Sequence, residues 1–394
     1  MAYPKLSLLA GQDRRLRSGH PWIYSNELKM DAAAKALEPG TPVKVADVAG
    51  KAMAVAQFNP HSLIAARVLS RNQNATIDAR FLERRLQRAL RLRERLFDHP
   101  YYRLVHAEAD GLPGLVIDRF DRTLVLQANS AGMDRLTPEL LEAVDRVVAA
   151  DHIILKNDST AREREGLKLS IDVIKGESKG AIELVENGFA FFADPVGGQK
   201  TGWYFDQRDN RAFAAKLAKG ERVLDLFSYG GGFGITALMA GAKEALAIDR
   251  SEGALELAKM AAARNGVDGK LTCLREEGFS ALDRLAKEKQ RFGLVIADPP
   301  SYVKSKRDLK AGLKGYRKLA RTSAALVREE GCLMVASCSH NVPLDSFRDE
   351  VRKGISDAGR GGRLLCQTGA SADHPSHPLL PESAYLKCLF YMLD

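Results

Sequence analysis

From Arg222 onward, short apolar runs alternate with longer helix-like stretches, and this alternation limits the folds open to the chain more than any other feature. The runs are Val223–Phe227, Glu244–Asp249, Leu271–Arg275, Gly293–Ala297 and Cys332–Ser337, each of strand length and rich in Val, Ile, Leu and Ala. Runs of this kind, repeatedly separated by helices, specify a parallel sheet covered on both faces, because each crossover must pack a helix against the sheet. The expected fold class is therefore α/β, a doubly wound Rossmann-like domain whose ligand lies outside the carboxyl ends of the strands.

The chain of 394 residues is too long for one ordinary core. Residues 1–75 hold short β-like runs (Val43–Val48, Ala52–Phe58, Leu63–Leu69) punctuated by Gly, Pro and Asn, the pattern of a small all-β barrel. Residues 77–97 read as an amphipathic helix. Ile77, Phe81, Leu82, Leu86, Ala89 and Leu90 fall near one face, and Arg84, Arg85, Arg88 and Arg91 crowd the other. A mixed stretch follows, with strand-like runs at Leu115–Ile117, Leu124–Ala128, His152–Lys156 and Ile171–Ile174 and a helix at Pro138–Ala149. The expected division is 1–75, an all-β domain; 76–190, a small α+β domain; and 191–394, the α/β domain.

The formal net charge of +9 and pI near 9.2 favour polyanionic partners, although a basic surface kept for solubility has the same composition. The excess is concentrated: residues 1–75 carry ten Lys/Arg against five Asp/Glu, and residues 303–321 carry eight against the single Asp308. Five cysteines, Cys273, Cys332, Cys338, Cys366 and Cys388, form no CxxC pair and have no His at zinc-ligand spacing. They fit a reducing compartment, so a cytoplasmic protein without a metal is expected. No apolar stretch approaches the roughly 20 residues that span a bilayer, and the opening residues lack the order of a secretion signal.

The first run of the α/β half leads into Asp225-Leu-Phe-Ser-Tyr-Gly-Gly-Gly-Phe-Gly234, where glycines let the backbone approach a ligand and open a helix. Asp249 ends the second run, placed to accept hydrogen bonds from ribose hydroxyls. Gly230, Gly232 and Gly234 leave a dinucleotide site open, but Ile235 stands where that fingerprint wants another glycine. The carboxylate of Asp225 favours S-adenosylmethionine. Glu276 and Glu277 follow the third run, placed either to face an adenine amino group or to act as surface acids. The fourth run ends in Asp298-Pro-Pro-Ser-Tyr302, where two prolines remove backbone donors and leave carbonyls and a carboxylate as acceptors.

The succession Asp-x-Phe-x-Tyr-x-Gly-Gly-Phe, Asp-Pro-Pro-Ser-Tyr and Ser-Cys-Ser-His resembles the ribosomal RNA large-subunit methyltransferase I family. Those are cytosine carbon-5 methyltransferases with an N-terminal PUA domain. The likeness extends over Gly19–Trp22, Glu108–Leu115, Lys200–Arg208, Asp373–Pro375 and Tyr385–Lys387. It implies a class I methyltransferase domain, a PUA-like RNA-binding domain over 1–75, and S-adenosylmethionine as cofactor. The partner implied is large-subunit ribosomal RNA, and a homodimer fits the family. The cofactor contacts implied are Ser228, Tyr229, Gly231, Asp249, Glu277 and Asp298, with Asp225 beside them and Thr201, Phe205 and Gln207 lining the same pocket. Two positions depart from the pattern: Gly230 where Thr or Ser is usual, and Glu277 where Asp is usual.

Carbon-5 of cytosine is a poor nucleophile until a thiolate adds at carbon-6, so the chemistry needs one positioned cysteine and a base. Cys338, just after the fifth run, is the candidate nucleophile, with His340 or the Lys304–Arg321 segment as sources of positive charge. Asp298 either orients the base or accepts a proton. The other four cysteines read as structural. A loop carrying Lys304, Lys306, Arg307, Lys310 and Lys314 would grip phosphates flanking a flipped base. Trp22 reads as a core residue or as a stacking platform. Three rival readings are amino-group methylation of adenine or guanine without a covalent intermediate, a ribosome-assembly factor that has lost catalysis, and a small-molecule methyltransferase.

Overall fold

Two compact units divide the chain in the computed structural model, which describes residues 3–177 and 180–394. The first takes the chain up to Gly180 together with Pro195–Gly202 and Asp373–Ser383; the second takes Ala181–Asp194, Trp203–Ala372 and Ala384–Asp394.

In the first unit, alternating small and branched residues build two five-stranded sheets. One runs in the order Lys5–Ser7, Thr41–Ala46, Ala52–Phe58, Ala66–Ser70, Trp22–Ile23, and closes over Val43, Val45, Ala54, Ala56 and Phe58. The run expected from Leu63 begins only at Ala66. The Asn59 side chain takes the His61 amide at 3.0 Å, and its own amide bonds Ala65 O at 2.8 Å, so the chain turns and leaves Leu63 exposed. The other sheet runs Ser170–Lys175, His152–Asn157, Thr123–Ala128, Leu115–Phe120, Tyr101–His106. Helices Ala79–Leu96 and Thr137–Val148 share its core, which joins Leu82 and Leu86 to Leu140, Ile117 and Leu126. Asp78 starts the first of these helices by accepting the Phe81 amide at 2.8 Å.

The second unit is built on a seven-stranded sheet: β1 (Arg222–Leu226), β2 (Glu244–Asp249), β3 (Leu271–Arg275), β4 (Phe292–Ala297), β5 (Val327–Ser337), β6 (Gly362–Thr368) and β7 (Lys387–Leu393). Its order is 3-2-1-4-5-7-6, with the first five strands parallel and β7 antiparallel to both neighbours. The order reverses between β1 and β4, which pair directly, Asp225 opposite Ile296. That junction is where a doubly wound sheet opens a crevice at its carboxyl edge. The crossover helices are α1 (Gly232–Met239), α2 (Glu252–Arg264), α3 (Gly278–Lys287), α4 (Leu309–Ala324) and α5 (Leu344–Asp357). Among the described residues no helix is long and apolar enough to cross a membrane.

Candidate active site

The turn from β1 into α1 is wound tightly. Phe227, Tyr229 and Gly231 all take positive φ, at 60°, 49° and 72°. Two non-glycine residues in the left-handed region store backbone strain, which the surroundings must hold. At Gly231 a side chain would also meet Ala258 at 2.9 Å, so glycine is required by both conformation and space. The turn is pinned by carboxylates. Asp225 Oδ2 accepts the Gly234 amide at 2.8 Å, and Asp249 accepts the Tyr229 amide at 2.9 Å and the Ser251 amide at 2.8 Å.

Two buried polar atoms here have no partner: Asp225 Oδ1 and Ser228 Oγ. Burial pushes the Asp225 carboxyl up to about 7, opposed by the Gly234 amide and Arg211. Buried acceptors left open beside a strained turn are acceptors for a ligand. S-adenosylmethionine carries an ammonium group, ribose hydroxyls and an adenine amine. Asp225, Ser228 and half-buried Asp249 offer the acceptors those groups need, so the residues fit the cofactor. Glu277 is exposed and caps α3, taking the Phe279 and Ser280 amides at 2.9 and 3.0 Å; Glu276 instead pairs with Arg284 at 2.7 Å.

At the exit of β4, Asp298 Oδ2 accepts Gln207 Nε2 at 2.9 Å. Gln207 is itself oriented by Asn210, whose amide donates to Gln207 Oε1 at 2.6 Å. Phe205 is buried in the same 3₁₀ turn, under the Arg208 guanidinium at 5.4 Å. Thr201 is not in this unit. It belongs to the first, buried, where its hydroxyl donates to Asp118.

Cys338 follows β5, the strand beside β4, and is half-buried. Cys332 and Cys388 are buried inside strands, and burial pushes both thiols up, as it does Cys273. Two residues that sequence reasoning left out of the site stand with Cys338. Lys387 opens β7 opposite Ser337, and its ammonium donates to Ser339 O at 2.6 Å and Tyr385 O at 3.2 Å. Burial lowers the Lys387 pKa, and the nearby Cys338 sulfur opposes that shift. Tyr204 packs edge-on against Tyr229, ring centroids 5.2 Å apart. Its hydroxyl is held far above the ordinary phenol value by burial and by Tyr229, Asp206, Asp298 and Cys338.

The basic segment after Asp298 is mostly helix rather than the expected loop. Tyr316, Leu319 and Ala320 recur at helical spacing and are buried, which winds Leu309–Ala324 into α4. Lys304, Lys306 and Arg307 lie in the short connection before α4, and Lys310 and Lys314 on its exposed side. In the first unit Trp22 is half-buried, its indole N–H donating to Glu108 at 2.7 Å.

Comparison with known proteins agrees with this geometry. A family model described as S-adenosylmethionine-dependent methyltransferase matches residues 127–357, and a PUA-like domain model matches residues 6–71. Proteins named ribosomal RNA large subunit methyltransferase I from Erwinia tasmaniensis and Cronobacter sakazakii are 37% and 35% identical to this chain. Each alignment covers 97% of this chain and 98% of the relative. Two solved structures share the fold. A candidate SAM-dependent methyltransferase from Streptococcus mutans has TM-score 0.83 at 19% identity, covering 99% of this chain and all of that one. SMU.776, a candidate methyltransferase solved with SAH, has TM-score 0.84 at 18% identity, with full coverage of both chains.

Proposed function

Because the chain belongs to the ribosomal RNA large subunit methyltransferase I family and is S-adenosylmethionine-dependent, we propose that it methylates carbon-5 of a cytosine in large-subunit ribosomal RNA through a thiolate adduct at Cys338. The observation that carries this reading is a half-buried thiol on the strand exit next to Asp298, with a buried lysine beside it.

Bound S-adenosylmethionine supplies an electrophilic methyl group. Asp225, Ser228, Tyr229, Gly231 and Asp249 hold the cofactor at the β1 and β2 exits, and Phe205 and Gln207 close the side next to Asp298. The Lys387 ammonium favours the thiolate form of Cys338, since a nearby cation stabilises the charged sulfur. The sulfur bonds to carbon-6 of the cytosine and electron density moves to carbon-5, the position that would take the methyl as the sulfonium–methyl bond breaks and leaves its electron pair on the departing thioether sulfur. Loss of the carbon-5 proton to a base then expels the thiolate and restores the ring. Asp298, steadied by Gln207, faces the polar edge of the base. The lysines and arginine from Lys304 to Lys314, and Trp22 in the PUA-like region, add contacts to flanking nucleotides.

Cys338→Ala tests the route. Methyl transfer to ribosomal RNA should disappear while cofactor affinity, measured by calorimetry, stays within about twofold of the parent. RNA carrying 5-fluorocytidine should trap a covalent adduct on the parent and none on the variant. Full turnover by the variant would discard the thiolate and leave amino-group methylation, which needs no sulfur.

A further inference from the structure

In the first unit, the turn leaving strand Ala66–Ser70 and the first turns of helix Ala79–Leu96 enclose an open groove of about 680 Å³. Asn72 and Asn74 line one wall, and Arg80, Arg84, Arg85 and Arg88 line the other. Arg80, Arg84 and Arg88 repeat every four residues, so their guanidinium groups form a ladder with rungs about 6 Å apart along the helix axis. Among the described residues none of the four arginines is held by a carboxylate. Asp78, also at the groove, is committed to capping the helix, and Glu83 faces Arg146 and Gln87.

Arg85 is the fixed member of the set. Its guanidinium donates to Leu69 O at 3.1 Å and lies over the Phe81 ring at 5.2 Å, which leaves its other N–H groups for a ligand. Burial and the neighbouring Arg88 and Arg84 charges lower its pKa, as expected for like charges gathered without a counterion. The asparagine wall is also ordered: the Asn72 amide donates to Ser70 Oγ at 3.1 Å and the Asn74 amide to Asn72 Oδ1 at 3.0 Å. The Asn74 side chain thus stands beside the cations as a neutral hydrogen-bonding group.

We propose that this groove, which starts at Ser70 near the end of the PUA-like match at residues 6–71 and is otherwise lined by residues beyond it, docks the phosphodiester backbone of the RNA substrate. A compact anion engages one or two rungs, whereas a chain of phosphates engages the ladder along its length, with asparagine amides reaching sugar hydroxyls. The inference rests on the ribosomal RNA reading given above, and its test separates the two.

Binding of a fluorescein-labelled single-stranded RNA of mixed sequence is followed by anisotropy as salt is varied, for the full chain and for two double variants. R84A/R88A removes two rungs; R91A/R95A removes the same charge from the same helix outside the groove. All four arginines are exposed, so both variants should keep the parent melting temperature and cofactor affinity. R84A/R88A should bind RNA about tenfold more weakly, with the slope of log K against log salt reduced by about 1.4, while the control changes by less than about twofold. Equal losses in both variants, or parental binding by R84A/R88A, overturn the groove. A groove variant that loses affinity only for inorganic phosphate marks a free-anion site and overturns it too. A parent chain that binds cofactor but no RNA overturns the ribosomal RNA reading itself.

Discussion

Lys387 holds a buried ammonium near the sulfur that the proposed reaction uses, fixed by two hydrogen bonds to the Ser339 and Tyr385 carbonyls. A cation so placed lowers the pH at which a neighbouring thiol ionises. Lys387→Met keeps the length of the side chain and deletes the charge. The acidic limb of the kcat/KM profile should then move up by about one pH unit, with turnover down about tenfold near neutrality and recovering at alkaline pH. The KM for S-adenosylmethionine should not change. A loss equal at every pH would reduce Lys387 to a packing role, and thermal melts distinguish that from misfolding. Asp298 and Cys338 were legible as candidates because each sits in a short local signature. Lys387 and Tyr204 were not, since their place beside the sulfur depends on the antiparallel return of β7 and on the turn before Arg208, neither of which a local pattern encodes.

At the level of elements, the strand ends decide the chemistry. The β1–α1 turn gathers a strained backbone around Asp225, a carboxyl whose burial raises its pKa to about 7 from an unfolded value near 3.9. The sign follows from proton counting. Between about pH 4 and 7 the unfolded chain has lost this proton while the folded chain keeps it, so native stability from this group is full at low pH and falls as pH rises through 7. The swing is a few kcal/mol at most, at about 1.4 kcal/mol per pKa unit. Asp225→Asn, which still offers an oxygen to the Gly234 amide, should flatten that slope. Melting curves from about pH 4 to 8 should show the variant gaining on the parent as pH increases, and a constant difference would contradict the buried-acid account. The five parallel strands of this half were readable to within a residue or two at most ends, because the central ones are continuous apolar runs, but no run was drawn for the antiparallel β6 and β7. The segment after Asp298 was misread as loop because its lysines hide a buried stripe of Tyr316, Leu319 and Ala320.

At the scale of the molecule, the chain does not finish one unit before starting the next. Asp373–Ser383 belongs to the first unit, although it is flanked on both sides by residues of the second. Buried polar groups anchor it. Arg93, fully buried, grips Asp110 at 2.6 and 2.9 Å and donates to Asp373 O at 2.8 Å, while Asp373 Oδ2 accepts the Arg103 amide at 2.9 Å. His374 bonds Asp373 at 2.8 Å and packs against the His106 ring at 5.0 Å. No local pattern announces a contact between positions 103 and 373; only the closed fold brings them together. Asp373→Ala strips the half-buried Arg103 amide and the buried His374 imidazole of their acceptor at once. It should cost about 2–4 kcal/mol in urea unfolding of the full chain. Hydrogen exchange locates the effect: the amides of Arg103 and His106 should lose protection, and those of β1 and β4 should keep theirs. Loss spread evenly over both units would mean that the Asp373 segment stabilises the chain globally and not as an anchor of the first unit.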